Sequence, residues 1–210
     1  MSFDTKYLKY LPKLGEAILT HLYFVFWSVL IGTVIALALA ILLSRKRKLA
    51  RFILPVLSVF QTIPGIVFIG ILFIYLGMKP ITIIIALGLY AVLPILKNAY
   101  TGIITVDPGL IEAAKGCGMR PIDILLKIEL PMSVGAIFGG IRMSTIYIIS
   151  WAVLAAMIGQ GGLGEFIYRG IDTNVKEYII MGAIPAALLA IFSGFLIDRL
   201  QRWFTPKGLR

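Results

Sequence analysis

A polar stretch, EAAKGCGMRPIDILLKIELP, at residues 112–131, interrupts the long apolar blocks of this chain. Charged residues and glycines are mixed there with apolar residues that would share one side of two short helices. Those apolar residues, of which the first two directly precede the stretch, are Leu110, Ile111, Ile122, Leu125 and Leu126. A short helix with an apolar face is unstable alone, so these residue types predict a docking surface at this place and not a catalytic site.

Local signals predict a helix, a turn and a second helix over the same stretch. Asp107 is a good helix cap, and the proline after it suits a first helical turn. Gly116 and Gly118 are expected to end this helix as turn or left-handed positions. Pro121 begins a second helix, which is expected to end at Pro131, where a long apolar block follows.

Other kinds of chemistry lack the residues that they need. The chain has one cysteine, Cys117, and one histidine, His21, so neither an internal disulfide nor a metal site is predicted. His21 is expected at the membrane interface. The phosphate-binding pattern G-x-x-x-x-G-K-[ST] and the nucleophile pattern G-x-S-x-G are absent. The chain is therefore not expected to be an enzyme, and any ATP and Mg²⁺ would bind to a separate subunit.

Long apolar blocks separate the polar stretches and predict an all-α membrane protein. The 210 residues are 60% hydrophobic and 14% charged, whereas soluble domains are about half apolar and about a quarter charged. The third block is short, so we expect it to extend into its flanks. Five blocks are predicted to span the bilayer, and they cover residues 22–43, 52–76, 81–96, 132–158 and 178–197.

Ionisable side chains are nearly absent from these blocks. No Asp or Glu lies inside them, and Arg142 is the only charge well inside one. Ion-coupled carriers usually need such groups, which disfavours proton or sodium coupling, although carbonyl groups alone can bind sodium. Arg142 is expected to reach towards the cytoplasm or to bond to backbone carbonyls.

The positive charges predict how the chain is oriented in the membrane. RKRKLAR, at residues 45–51, has five basic residues between the first two blocks, so this loop is expected in the cytoplasm. Alternation then places the N-terminus outside and the C-terminus inside. Residues 1–20 are predicted to form an amphipathic segment along the outer surface. The protein is expected to be surrounded by membrane lipid. Nucleic-acid binding is not expected, because the sequence has no basic helix interleaved with aromatic residues.

The stretch at residues 112–131 resembles the cytoplasmic signature of permease subunits of binding-protein-dependent ABC importers. That signature reads E-A-A, three residues, G, nine residues, I, one residue, L-P. Every specified position matches, and the matching residues are Glu112, Ala113, Ala114, Gly118, Ile128, Leu130 and Pro131. The resemblance implies one permease domain over residues 1–210 with the type I ABC importer transmembrane fold.

The same resemblance implies partners and a mechanism. A coupling region at residues 107–131 would fit a cleft on an ATPase subunit, and closure of two such subunits on ATP would turn the pore outward. A second permease subunit, identical or homologous, would complete the pore. An extracellular or periplasmic substrate-binding protein would deliver solute to this complex in the bacterial cell membrane.

Two further stretches resemble permeases for glycine betaine, carnitine, choline and related compatible solutes. They are SVFQTIPGIV at residues 58–67 and WAVLAAMIGQGGLGEFIYRGI at residues 151–171. Methionine importers also carry a glycine-rich run at the second place, so that substrate stays open. An ATP-independent carrier or channel, and a purely structural membrane anchor, are the alternatives from other classes.

Candidate pathway residues follow from these two stretches and from the aromatic residues of the spans. Gln61, Thr62 and Pro64 are expected to line a translocation path or to hold helices together. A quaternary ammonium group sits favourably over ring faces, and Tyr90, Tyr147 and Trp151 are candidates, although packing is a commoner role for aromatics. A gate or a compact loop is expected from Gly159, Gln160, Gly161, Gly162 and Gly164.

Overall fold

The structure, a computed structural model, describes residues 10–206 and 208, and the regular secondary structure of these residues is all helical. The α-helices of this part are α1 (Leu11–Arg45), α2 (Arg47–Phe60), α3 (Gly65–Leu76), α4 (Pro80–Ile104), α5 (Pro108–Gly116), α6 (Pro121–Ile124), α7 (Leu130–Ala152), α8 (Gly164–Asp172) and α9 (Lys176–Phe204). A π-helical segment, Leu125–Glu129, joins α6 to α7, and a 3-10 segment, Val153–Ile158, follows α7. The predicted all-α fold class is confirmed.

Four helical units are long and apolar enough to cross a bilayer within the described residues. They are α1, α4, the continuous unit Pro121–Ile158 and α9. The second apolar block forms α2 and α3, which pass the same test together but are bent by 91° at the break between them. The expectation of about five spans therefore holds when this bent pair counts as one.

Helix α4 lies at the centre of the molecule and packs against both α1 and α7. The short third block extends into its flanks as predicted, from Pro80 to Ile104. Small residues let these helices approach closely. A Cβ at Gly32 of α1 would lie 2.6 Å from the Cβ of Ala91, and a Cβ at Gly140 of α7 would lie 3.0 Å from the Cα of Ile95. Both glycines are therefore required by the packing against α4.

The start of α1 differs from the prediction. A separate amphipathic segment is predicted over residues 1–20, but residues 11–20 are the first turns of α1 and continue directly into the first span. The reason is local: Pro12 stands in the first turn, where proline is tolerated, and nothing after it ends the helix before Arg45. Residues 1–9 lie outside the described part of the chain.

The end of the second helix of the coupling region also differs from the prediction, because the helix does not break at Pro131. Proline has no backbone N–H and would leave a carbonyl unpaired in a regular α-helix. The π-helical segment changes the hydrogen-bond register just before it, and the Leu130 N–H bonds to the carbonyl of Leu125, five residues back. The helix therefore continues into α7, and the coupling region is joined to this span without a loop.

Arg142 of α7 forms an ion pair that the sequence does not predict. Its Nε lies 3.1 Å from Oδ1 of Asp198 on α9, whereas contact with the cytoplasm or with backbone carbonyls was the expectation. Asp198 follows directly after the fifth apolar block, and α9 continues past it to Phe204. Gly194 lies beside the guanidinium, and a Cβ there would be in ordinary van der Waals contact with its Nε, at 3.5 Å.

Candidate functional site

Helix α5 of the coupling region begins and ends through specific hydrogen bonds. The Asp107 carboxylate accepts one from the Gly109 N–H at 2.8 Å, which confirms the predicted cap. At the other end the Gly118 N–H donates to the Lys115 carbonyl, and the next N–H along the chain donates to the Ala114 carbonyl. This pair of bonds is the usual glycine-dependent helix ending.

Gly118 is the residue that this ending requires. Its φ is +75°, a left-handed conformation that costs an ordinary L-residue about 1–2 kcal/mol. Gly116, the other predicted turn glycine, is instead the last helical residue of α5. The prediction of a turn is therefore confirmed for Gly118 and wrong for Gly116.

The exposed apolar residues of the coupling region have no partner surface among the described residues. Leu110 is 44% exposed, Ile122 50% and Leu126 56%. Ile111 is half-buried and Leu125 is buried, so these two predicted members of the apolar face turn inward. Glu112 and Ala113 of the signature are exposed on α5 as well. We call the exposed set the coupling surface: Leu110, Glu112, Ala113, Ile122 and Leu126.

The remaining signature residues in the helices are less exposed than this surface. Ala114 is the buried residue of α5. Ile128, Leu130 and Pro131 are half-buried where the π-helical segment meets α7. The signature therefore covers an exposed patch, a turn and a continuous helical junction with a span.

Between these signature residues lies a buried carboxylate that the sequence does not single out. Glu129 accepts hydrogen bonds from both terminal nitrogens of Arg45, the last residue of α1, and one of these bonds measures 3.0 Å. The Glu129 side chain is only 8% exposed, whereas that of Arg45 is 44% exposed. The signal available in the sequence is the basic run that begins at Arg45, but nothing local indicates its partner.

A second site lies at the break between α2 and α3. Gln61, Tyr90, Tyr147 and Trp151 line one pocket of about 250 Å³, together with Ile148. The rings of Tyr90 and Trp151 are stacked, with their centroids 4.9 Å apart and their planes 24° apart. Four residues predicted separately, from three different spans, therefore meet in one place. We call this set the aromatic pocket.

Two hydrogen bonds tie the break to α4. The Gln61 Nε2 donates to the Tyr90 carbonyl at 3.3 Å, and the Tyr90 hydroxyl donates to the Ile63 carbonyl at 2.6 Å. Thr62 and Pro64 are not brought into the pocket: Thr62 is exposed and bonds to the carbonyl of Val59. Gln61 therefore lines the pocket and also joins two helices, whereas its place in a translocation path stays a prediction.

Gly65, the first residue of α3, makes the position of Trp151 feasible. A Cβ at this glycine would lie 1.3 Å from Cζ3 of Trp151. The indole therefore lies directly over the backbone of α3. The sequence offers one signal for Gly65, a glycine directly after the helix-breaking Pro64, but not its contact.

The glycine-rich loop at residues 159–164 is tightly folded. Gly159, Gly161 and Gly162 have φ values of +74°, +75° and +85°, which favour glycine. Gly164 is needed for space, because a Cβ there would lie 2.0 Å from the carbonyl oxygen of Val153. The loop has the compact form that was one of the two alternatives, and its role as a gate stays a prediction.

Polar contacts connect this loop to its neighbours. The Gln160 Nε2 donates to the Met78 carbonyl at 3.3 Å, in the turn between α3 and α4. His21 of α1 is fully buried, and its Nε2 lies 3.0 Å from the carbonyl oxygen of Ile149 on α7. His21 therefore faces α7 and Gly162, which cover its ring, and its position at the membrane interface stays a prediction.

Replacing Gln61 with leucine is expected to lower transport about fivefold, while the protein assembles normally. The change leaves the Tyr90 carbonyl without its donor, which costs about 1 kcal/mol, and removes the pocket's amide. Solute uptake, compared at equal membrane content of the protein, measures the effect. Thr62→Val is the matched control, because the Thr62 side chain lies outside the pocket. Equal uptake by both variants would mean that Gln61 only holds helices together.

An all-helical chain with four or five membrane-crossing units and this coupling region has the fold of a type I ABC importer permease. The family described as binding-protein-dependent transport system inner membrane component matches residues 10–209. The chain belongs to this family and is a multi-pass permease of the membrane. The resemblance stated from residues 112–131 is thereby confirmed.

Curated relatives cover nearly the whole chain. The carnitine transport permease OpuCB of Listeria monocytogenes is 40% identical over 190 residues, which are 90% of this chain and 87% of the relative. The glycine betaine/carnitine/choline permease OpuCB of Bacillus subtilis is 40% identical over 200 residues, covering 95% and 90%. The choline permease OpuBB of the same organism is 40% identical over 183 residues, covering 87% and 84%.

Solved structures confirm the fold. A chain of the MetNI methionine ABC transporter in an inward-facing conformation has a TM-score of 0.81 and 22% identity, and covers 98% of this chain and 100% of that one. A chain of an amino acid ABC transporter crystallised with histidines has a TM-score of 0.72 and 21% identity, covering 97% and 98%. At such identity the likeness concerns the fold alone.

Proposed function

We propose that this chain is the permease subunit of an ATP-driven importer for quaternary ammonium compatible solutes such as glycine betaine, carnitine and choline. The observation that carries the proposal is the aromatic pocket, found in a chain whose 40% identical relatives are named for these solutes. Uptake would serve cells under osmotic stress.

The chemistry of the aromatic pocket suits a quaternary ammonium group in transit. Cations are attracted to ring faces by about 0.5–2 kcal/mol, and three rings lie in the pocket's wall. None of the lining residues carries a formal charge, so no ion pair would hold the solute there. Weak, uncharged contact favours passage of the solute over tight binding. A permease needs such weak contact when a separate binding protein captures the solute.

The coupling surface is proposed to receive a separate ATPase subunit, on which ATP and Mg²⁺ bind. Its four exposed apolar side chains and the exposed Glu112 are the kind of partly apolar patch that marks a protein-binding site. A second permease subunit would complete the pore. A substrate-binding protein would dock on the opposite face of the membrane.

The orientation proposed is N-terminus outside and C-terminus in the cytoplasm of a bacterial cell. One observation and one general rule support it. The basic run 45–51 begins at Arg45, which pairs with Glu129, so this run and the coupling region lie at the same end of the molecule. Basic residues near span ends mark the cytoplasmic side, which is where an ATPase subunit would be.

The experiment that tests this function is uptake by the purified complex in vesicles. Radiolabelled glycine betaine is supplied with the binding protein, with and without internal ATP, and choline, carnitine and methionine are added as competitors. We expect ATP-dependent uptake, retention of an ATPase subunit on purification, and competition by the quaternary ammonium solutes. Competition by methionine alone would overturn the substrate class, and uptake that needs no ATPase subunit would indicate a carrier.

A further inference from the structure

Arg45 and Glu129 connect the coupling region to α1, a helix with which it shares no covalent junction. We propose that this ion pair is a positioning device that makes α1 move with the coupling region during the transport cycle. The inference rests on the proposed function, because it presumes that an ATPase subunit moves the coupling region. Neither residue belongs to the signature.

The geometry of the pair suits a contact that holds α1 and the coupling region in a fixed relative position. Both terminal nitrogens of Arg45 bond to the two oxygens of Glu129, and such a bidentate pair fixes orientation as well as distance. The Glu129 side chain is 8% exposed, so water screens the contact only partly. Among the ion pairs of the described residues, this one alone joins the coupling region to another helix.

The position of Glu129 in the chain explains how the pair would transmit movement from the coupling region to other helices. Glu129 is the last residue of the π-helical segment between α6 and α7. π-helical turns inside α-helices are irregular and often mark functional positions. Ser133 of α7 donates to the Glu129 carbonyl at 2.6 Å. A movement of the coupling region therefore reaches α7 through the backbone and α1 through the Glu129 carboxylate.

Helix α1 carries that movement to the opposite end of the molecule. His21 lies 24 residues before Arg45 on the same helix, which is about 36 Å of helix. Its ring bonds to the Ile149 carbonyl and packs against Gly162 of the glycine-rich loop. Helix α1 therefore contacts the coupling region through Arg45 at one end and the glycine-rich loop through His21 near the other.

The test separates coupling from stability with a double variant, Arg45→Met with Glu129→Leu. Replacing both partners of a buried ion pair with apolar residues is often neutral for stability, whereas removing one partner is not. In the complete reconstituted importer we expect normal ATPase-subunit retention and thermal stability, and about fivefold fewer solute molecules transported per ATP hydrolysed. A pair that only stabilises the fold would leave this ratio at the wild-type value, and that result would overturn the proposal.

The matched control is Arg142→Met with Asp198→Leu. It makes the same exchange at the ion pair that joins α7 to α9, away from the coupling region, and the ratio is expected to stay at the wild-type value. An equal fall in both double variants would overturn the proposal, because the effect would then follow from losing any interhelical ion pair.

One more variant and one observation on the wild-type complex complete the test. Arg45→Lys keeps the charge but loses the bidentate geometry, so an intermediate ratio is expected even if the double variant does not assemble. A wild-type ratio in Arg45→Lys would then overturn the proposal. Absence of an ATPase subunit from the wild-type complex would instead overturn the proposed function itself, and the link with it.

Discussion

Gly118→Val is expected to lower ATP-driven solute uptake about tenfold or more. The φ of +75° at this position is unfavourable for any L-residue and most of all for a β-branched one. A Cβ there would meet nothing within 4 Å, so the effect comes from the backbone alone. Losing this turn changes the angle between α5 and α6, and the coupling surface no longer presents one continuous patch.

Gly116→Ala is the matched control for this variant. Gly116 lies two residues earlier, is also exposed, and also has free space around a Cβ, but it is helical. Alanine there is expected to leave uptake unchanged and to stabilise α5 by up to about 1 kcal/mol. Uptake and ATP hydrolysis are measured in the same vesicles. Normal uptake by Gly118→Val would contradict the role assigned to the turn.

Gly65→Ala is expected to reduce uptake about tenfold while the ATPase subunit remains bound. The new methyl group would occupy the place of the Trp151 ring, since a Cβ there lies 1.3 Å from Cζ3. Overpacking of this kind costs about 1–3 kcal/mol, and the indole must leave its stack with Tyr90. The aromatic pocket then loses the wall formed by these two rings.

Gly70→Ala tests whether the effect belongs to Trp151 or to any glycine of α3. Gly70 lies in the same helix, and a Cβ there has nothing within 4 Å. Its uptake is expected to equal that of the wild type. The measurement is the initial uptake rate over a range of solute concentrations. Equal rates in both variants would show that Trp151 does not occupy this position during transport.

Local signals predict the coupling region well because its structure is made of short-range bonds. The Asp107 cap and the Gly118 turn each involve residues within five positions of each other. Apolar block lengths likewise predict the spans. The continuation through Pro131 is not predictable in this way, because a regular helix would break there and the π-helical segment that prevents it has no sequence signal of its own.

Contacts between distant residues account for the rest of what the sequence does not predict. Arg45 and Glu129 are 84 positions apart, and His21 and Ile149 are 128 apart. No periodicity relates such residues, so only the packed helices bring them together. The aromatic pocket is an intermediate case, since its residues are individually conspicuous as mid-span polar or aromatic side chains, but their meeting depends on how α4 and α7 pack.

The central claim, that the coupling surface receives an ATPase subunit in the cytoplasm, can be tested through Cys117. It is the only cysteine in the sequence, and it is exposed at the end of α5. A photo-activated cross-linker attached to its thiol in the assembled complex is predicted to give one adduct that contains the permease and the ATPase subunit. Absence of this adduct, or labelling of Cys117 in intact cells by a membrane-impermeant maleimide, would contradict the account.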